Sequence, residues 1–181
     1  MKIYSQEYSF NGISYIVRSA MDEDAAELSA LRLQIDGETE YLDREKGESF
    51  IDASGFEQLI KTDAENPKNL FLVAEATNRI VGFSRCEGNH LNRLSHKVEF
   101  GVCVLKDYWG YRIGKNLLRE SIAWADSNEI KKMTLHVLQI NDKAVRLYEN
   151  LGFEIEGVLK QDKVLSDGNY YNTIIMGRFK E

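Results

Sequence analysis

The sequence predicts a mixed α/β fold, a mostly antiparallel sheet of six to seven strands flanked by helices. Three observations carry this reading. Short runs that alternate β-branched or aromatic residues with polar ones recur along the chain. Asn11-Gly12 and Thr77-Asn78 put tight turns between pairs of them. In the second half, two segments with apolar residues at helical spacing lie between strands. The order is ββααβββαβαββ, with antiparallel hairpins first and a β-α-β-α-β passage after them.

Alternation over residues 3–9 and 13–17 makes the first hairpin. Asp22 then opens a helix with the stripe Ala25, Leu28, Leu31 and Ile35. A polar stretch, GETEYLDREKGESFID, leads to a short helix over residues 56–61. LFLVAEA (70–76) and RIVGFSRCE (79–87) form the second hairpin, and residues 97–104 add a third strand. A helix over 113–127 follows a glycine-containing turn. After it come a strand over 133–138 and a short helix capped by Asn141 and ended by Gly152. Strands over 153–164 and 170–179 flank the Asp167-Gly168 turn.

A chain of 181 residues is most simply one domain, residues 1–181. Its net charge of −6 argues against a general nucleic-acid binder, which needs a basic face. The amino terminus lacks a basic segment followed by an apolar core, and no apolar run approaches the roughly 20 residues that span a bilayer. The expectation is a cytoplasmic protein without a membrane or nucleic-acid partner. Cys86 and Cys103 both sit in strand-like runs and read as buried, reduced and structural. No CxxC or Cys/His cluster suggests a metal.

The most informative stretch is KDYWGYRIGKNLL, residues 106–118. The strand VEFGVCV runs into it, a helix runs out of it, and Gly110 and Gly114 sit at the junction. Unpaired N–H groups at a helix start bind phosphate or pyrophosphate. A Walker A loop needs GxxxxGK[ST]; here Gly110 and Gly114 are too close, and Asn116 follows Lys115. The GxGxxG dinucleotide fingerprint fits neither in spacing nor in position.

A second segment narrows the ligand. NDKAVRLYENLGF, residues 141–153, matches N-x-x-A-x-x-x-Y-x-x-x-G-F at Asn141, Ala144, Tyr148, Gly152 and Phe153. It closely resembles the second conserved segment of the GNAT N-acetyltransferases. Residues 98–118 resemble the first, a strand ending V-x-V followed by [Q/R]-x-x-G-x-[G/A]. Gly114 matches; Trp109 stands where the pattern prefers Gln or Arg, and Arg112 stands where it has glycine. The Trp-Gly opening resembles the branch that includes ribosomal-protein N-terminal and polyamine acetyltransferases. The Arg112 Cβ would crowd a close backbone approach, or its guanidinium would pair with a phosphate.

The resemblance implies a GNAT-like sheet with splayed central parallel strands and acetyl-CoA as cosubstrate. Trp109, Gly110, Tyr111, Arg112, Ile113, Gly114 and Lys115 would hold the pyrophosphate. Val102 and Val104 would pair through their backbone with the pantetheine arm, with the Val104 N–H as oxyanion donor. Asn141 and Ala144 belong to the same cofactor site, and Asn141 would reach the pantetheine or a nearby carbonyl. Tyr148 matches the general acid toward the CoA sulfur. Glu99 is the candidate base, directly or through water. It shares a strand face with Gly101 and Cys103, which leaves room for substrate. His96, near the strand start, reads as a surface histidine, Glu87 and His90 are weaker candidates, and His136 reads as packing or exposed.

From residue 36 to 57 eight acids face two bases, so this stretch alone carries −6. In the family this connection borders the acceptor. The residues expected there are Glu38, Tyr41 and Glu87, and the acidic border would attract a cationic small-molecule or peptide amine. The implied function is transfer of an acetyl group from acetyl-CoA to a primary amine in a ternary complex. The alternative is a non-catalytic acyl-CoA-binding module on the same fold. A homodimer through the terminal edge strands is also expected.

Overall fold

The computed structural model describes residues 2–180. Its strands form one eight-stranded sheet, one strand more than the upper expectation. β1 (Gln6–Phe10) and β2 (Ile13–Ser19) pair antiparallel. Asn11 and Gly12, with φ of 50° and 82°, make the turn between them, in the backbone region a two-residue hairpin demands. β3 (Leu70–Ala76) and β4 (Arg79–Gly88) repeat the device, with Thr77 and Asn78 at φ of 50° and 59°. β5 (Lys97–Val104), β6 (Lys132–Leu138), β7 (Glu154–Val164) and β8 (Tyr170–Phe179) complete the order β1-β2-β3-β4-β5-β6-β8-β7. Every neighbouring pair is antiparallel except β5 and β6.

That parallel pair is short. Lys97, Val98 and Glu99 pair with Lys132, Met133 and Thr134, and pairing stops there. β5 stays paired with β4 through Val104, and β6 with β8 through Leu138. The two strands therefore diverge, leaving one edge of residues 100–104 open.

Helices cover both faces. α3 (Ile113–Ser127) buries Ile113, Leu117, Leu118, Ser121, Trp124 and Ala125 against β2 to β5. Each large apolar side chain sealed this way contributes about 1.5–3 kcal/mol. α1 (Ala25–Asp36) and α2 (Ala53–Glu65) pack on the opposite face. β4 shows the alternation: Ser84 meets Ser121 of α3, while Phe83 stacks edge-on against Phe56 of α2. α2 is longer than its apolar pattern predicts, because the Asp52 side chain caps it by accepting the Gly55 N–H at 2.8 Å. α4 (Asp142–Glu149) is capped by the Asn141 side chain, as its sequence predicts. No helix among the described residues is long and apolar enough to cross a membrane.

A buried ion pair locks α2 to β4. The Asp63 carboxylate, 1% exposed, accepts from Arg85 Nε at 2.5 Å, from Arg85 Nη2 at 2.9 Å and from Asn69 Nδ2 at 2.7 Å. Asn69 in turn accepts the Gly88 N–H at 2.9 Å. Satisfying a buried carboxylate this fully is what makes it tolerable in a core.

The turn before α3 resolves the Arg112 departure. Gly110 and Arg112 both have positive φ, 87° and 64°. Glycine adopts that conformation freely; an L side chain pays about 1–2 kcal/mol. Arg112 turns away from the helix mouth and lays its guanidinium over the Phe10 ring, 3.8 Å from the centroid. That contact returns about 0.5–1 kcal/mol. The side chain neither fills the cradle nor reaches into it, which departs from both expectations for this residue.

Two stability tests follow. Asp63→Ala removes the buried acceptor of Arg85 Nε and Nη2 and of Asn69, leaving Arg85 only Glu87, and lowers unfolding free energy by about 3 kcal/mol in chemical denaturation. Arg112→Gly exchanges backbone strain for the lost Phe10 contact, so its stability stays within about 1 kcal/mol of wild type in the same assay.

Candidate active site

The open edge of β5 is built by strand parity. The Leu105 N–H donates to the Val81 carbonyl at 2.9 Å, so residues 105, 103 and 101 turn their backbone groups toward β4. The intervening residues, Val102 and Val104 among them, turn theirs into the gap between β5 and β6. The Trp109 indole donates Nε1–H to the Val104 carbonyl at 2.9 Å, bringing the turn back onto the strand end. Tyr41 stacks on the Trp109 ring with centroids 6.4 Å apart.

At the gap's far end lies the start of α3. Arg112 is its N-cap residue, and the first helical bond runs from the Asn116 N–H to the Arg112 carbonyl at 2.9 Å. The N–H groups of Ile113, Gly114 and Lys115 therefore have no intrahelical partner. Ile113 is a core residue, so only its backbone faces the mouth. The Tyr111 carbonyl is held from behind by the Tyr15 hydroxyl at 3.2 Å, and Asn116 donates to that hydroxyl at 2.7 Å. A Cβ on Gly114 would meet only the Val104 Cγ2, at an ordinary 3.8 Å. Nothing within the protein demands glycine there. Open space above a row of free N–H groups fits a phosphate group.

On the α1–α2 face a cleft of about 440 Å³ opens beside β5. Phe56, Phe71 and Phe83 form its aromatic floor, with ring centroids 5.8–6.4 Å apart. Glu99, Gly101, Val102 and Cys103 form one wall, and His136, Asn141 and Tyr148 the other. A Cβ on Gly101 would meet nothing within 4 Å, so its hydrogen keeps the cleft open. Cys103 lines this space and is half-buried, where the sequence reads both cysteines as buried. Burial pushes its thiol up to about 12, so it stays protonated.

Tyr148 is 8% exposed and packs on Phe153, with centroids 5.9 Å apart. Its hydroxyl makes no hydrogen bond among the described residues, and the side chain lines the cleft. Burial, with a smaller contribution from Cys103, pushes the phenol up to about 12. Glu99 is well exposed, and its carboxylate lies 3.4 Å from His136 Nδ1 at the point where β5 and β6 part. His136, read from sequence as packing or exposed, stands beside Glu99 on the cleft wall. Its only sequence signal is position: it lies on the strand that leads directly into Asn141 and α4.

The other expected residues are placed differently. Tyr41 lines the cleft. Glu38 does not; its carboxylate accepts the Lys106 N–H at 2.8 Å and Gln34 Nε2 at 2.7 Å. Glu87 points to Arg85, 3.0 Å away, outside the cleft. Ala144 is half-buried and donates its N–H to the Asn141 side chain at 3.3 Å, a capping role. The acids of the α1–α2 connection are mostly committed. Asp36 pairs with Arg44, Asp43 with Lys163, Glu57 with Lys61, Glu40 accepts the Ser166 N–H, Glu48 the Glu45 N–H, and Asp52 caps α2. Cations sequence reasoning passed over, Arg32, Arg44, Arg85 and Lys163, line the cleft instead.

Comparisons with known proteins agree with this architecture. Residues 34–153 match the acetyltransferase (GNAT) family. The L-amino acid N-acetyltransferase AaaT of Escherichia coli is 31% identical over 118 residues, 65% of this chain and 72% of that protein. The spermidine N(1)-acetyltransferase of Vibrio cholerae is 27% identical over 54% of this chain and 56% of its own. A GNAT-family acetyltransferase structure from Streptococcus pneumoniae superposes with a TM-score of 0.89 at 26% identity, covering 92% of this chain and 99% of that one. With a splayed β5–β6 pair, an open helix mouth and a family match over about two thirds of its length, this chain belongs to the GNAT acetyltransferase family.

Proposed function

We propose that the protein transfers an acetyl group from acetyl-CoA to a primary amine bound in the cleft. The observation that carries this is the open backbone edge of β5 beyond Glu99, set between the α3 start and the cleft that Tyr148 and the Glu99–His136 pair line. The free N–H groups of residues 113–115 would hold the pyrophosphate, and the Val102 and Val104 backbone the pantetheine arm. Bound there, acetyl-CoA supplies an activated thioester.

The chain's residues then have three tasks. A free backbone N–H on the β5 edge stabilises negative charge on the carbonyl oxygen. Tyr148, protonated well beyond neutral pH, donates a proton to the departing sulfur. His136 accepts a proton from the incoming amine, and Glu99 at its Nδ1 orients the ring and stabilises the charge it gains. This moves the ring beside Glu99 into the base role and makes Glu99 its partner. The relatives named for an L-amino acid and for spermidine bracket the acceptor as a small primary amine.

The defining experiment is release of CoA from acetyl-CoA across a panel of primary amines. Binding of acetyl-CoA without turnover would favour the non-catalytic module instead. Tyr148→Phe lowers kcat by about a hundredfold with acetyl-CoA binding intact, measured by steady-state kinetics and calorimetry; full activity in this variant refutes the acid role. Because the phenol lies near 12, kcat shows no alkaline decline through pH 10, the ordinary tyrosine value; the loss comes only as pH approaches 12. Gly114→Val fills the space above the α3 mouth. It removes the thermal shift produced by acetyl-CoA while leaving the unliganded melting temperature close to wild type.

A further inference from the structure

The cations at the α1–α2 end of the cleft are unequally paired. Asp36, buried at the end of α1, accepts from Arg44 Nε at 3.2 Å and Nη2 at 3.0 Å. The same carboxylate is the nearest anion to Arg32, whose Nε lies 3.9 Å away, beyond hydrogen-bond distance. Arg32 Nη1 donates to the neutral Ser49 carbonyl at 2.7 Å. Arg32 Nη2 and Arg44 Nη1 make no hydrogen bond among the described residues. Lys163, also on the cleft, pairs with Asp43. Arg44 and Lys163 thus each have a carboxylate within hydrogen-bond distance, and Arg32 does not.

Arg32 is the group without an anion of its own. Its side chain is only 11% exposed. Burial, and then the neighbouring Arg44, disfavour its charge. Asp36 at 3.9 Å offsets this only in part, and a guanidinium does not lose its proton at ordinary pH, so a further anion at Arg32 is favoured. The location is specific. Both guanidiniums line the same cleft as Cys103 and Tyr148. The cation pair therefore sits beside the stretch of β5 that would present the thioester. The opposite end of the cleft holds Glu99 and His136. Arg85 adds nothing to the imbalance, since Asp63 and Glu87 occupy it.

We propose that the acceptor amine carries a carboxylate, and that Arg32 together with Arg44 binds it. This rests on the acetyl-transfer reading of the same cleft and adds its substrate class: a small amino acid with an apolar side chain, its carboxylate on the guanidinium pair and its amine turned toward Tyr148 and His136. Phe56, Phe71 and Phe83 receive the side chain. A polycation finds its amine end repelled at Arg32 and Arg44. This reverses the expectation of a cationic acceptor, which counted the acids of this segment without their partners.

The test compares kcat/KM for L-leucine, L-leucinamide, isopentylamine and spermidine by CoA release. L-leucine is preferred over L-leucinamide by about tenfold to a hundredfold, the range for a charge-assisted hydrogen bond. In Arg32→Gln, which keeps the Arg44–Asp36 pair, this ratio falls to within about threefold of unity, chiefly through KM. Arg32→Lys keeps the charge without the fork and lies between. Equal use of leucine and leucinamide by the wild type, a preference for spermidine, or an unchanged ratio in Arg32→Gln overturns the proposal. Absence of turnover with every amine defeats the acetyl-transfer reading alone. The carboxylate site is then decided by calorimetry with N-acetyl-L-leucine and N-acetyl-L-leucinamide. Selective binding of the acid, lost in Arg32→Gln, supports it, and equal or absent binding overturns it.

Discussion

The divergence of β5 from β6 after Glu99 and Thr134 is the constraint on which the rest of the site depends. Each strand keeps its other neighbour: β5 is held by β4 at seven register positions, and β6 by β8 at seven. Sheet twist rotates the two halves apart. The result is a row of backbone groups at Val102 and Val104 facing an opening rather than a strand. Unpaired backbone inside a protein is costly unless something meets it. Here the Trp109 indole meets one carbonyl, and an extended ligand arm is suited to meet the others. The same opening admits Tyr148 and His136 from one side and Glu99 from the other, so one divergence underlies both the track proposed for the cofactor and the proposed place of chemistry.

Charge in this protein shows how far a local field can differ from a local count. Residues 36–57 hold most of the acidic excess, yet nearly every acid there has a structural task. Glu38 anchors the turn after β5, Glu40 and Asp43 tie the α1–α2 connection to the β7–β8 hairpin, and Asp52 starts α2. These commitments turn the carboxylates away from the cleft or neutralise them. The cleft is left with a positive end at Arg32 and Arg44 and a negative end at Glu99. A zwitterionic acceptor matches that polarity; a polycation does not.

Arg112 illustrates a similar separation of pattern from purpose. Glycine in the motif suits two requirements, a positive φ at that position and, on the proposed reading, close approach of a ligand to the turn. Only the first requirement bears on Arg112, whose side chain rotates onto Phe10. Gly110 and Gly114 keep the open space that the second requirement needs.

Much of this was legible in the chain. Residues 97–104, 113–127 and 170–179 occupy the elements their periodicity predicts, and the Asn11-Gly12 and Thr77-Asn78 turns sit where turn chemistry puts them. The two spaced motifs identified the family, because helix starts, caps and positive-φ turns depend on neighbours within a few residues. α2 was underestimated for the same reason in reverse, as its first turn is polar and its start rests on a single capping aspartate. What only the tertiary structure decided are pairings between distant segments: His136 with Glu99, Lys163 with Asp43, and Arg32 left to share Asp36 with Arg44. Local periodicity states which face a residue occupies. Which charge it meets across the cleft depends on the path of the whole sheet, and electrostatic partnership is set by distance in space, which no short window of sequence contains.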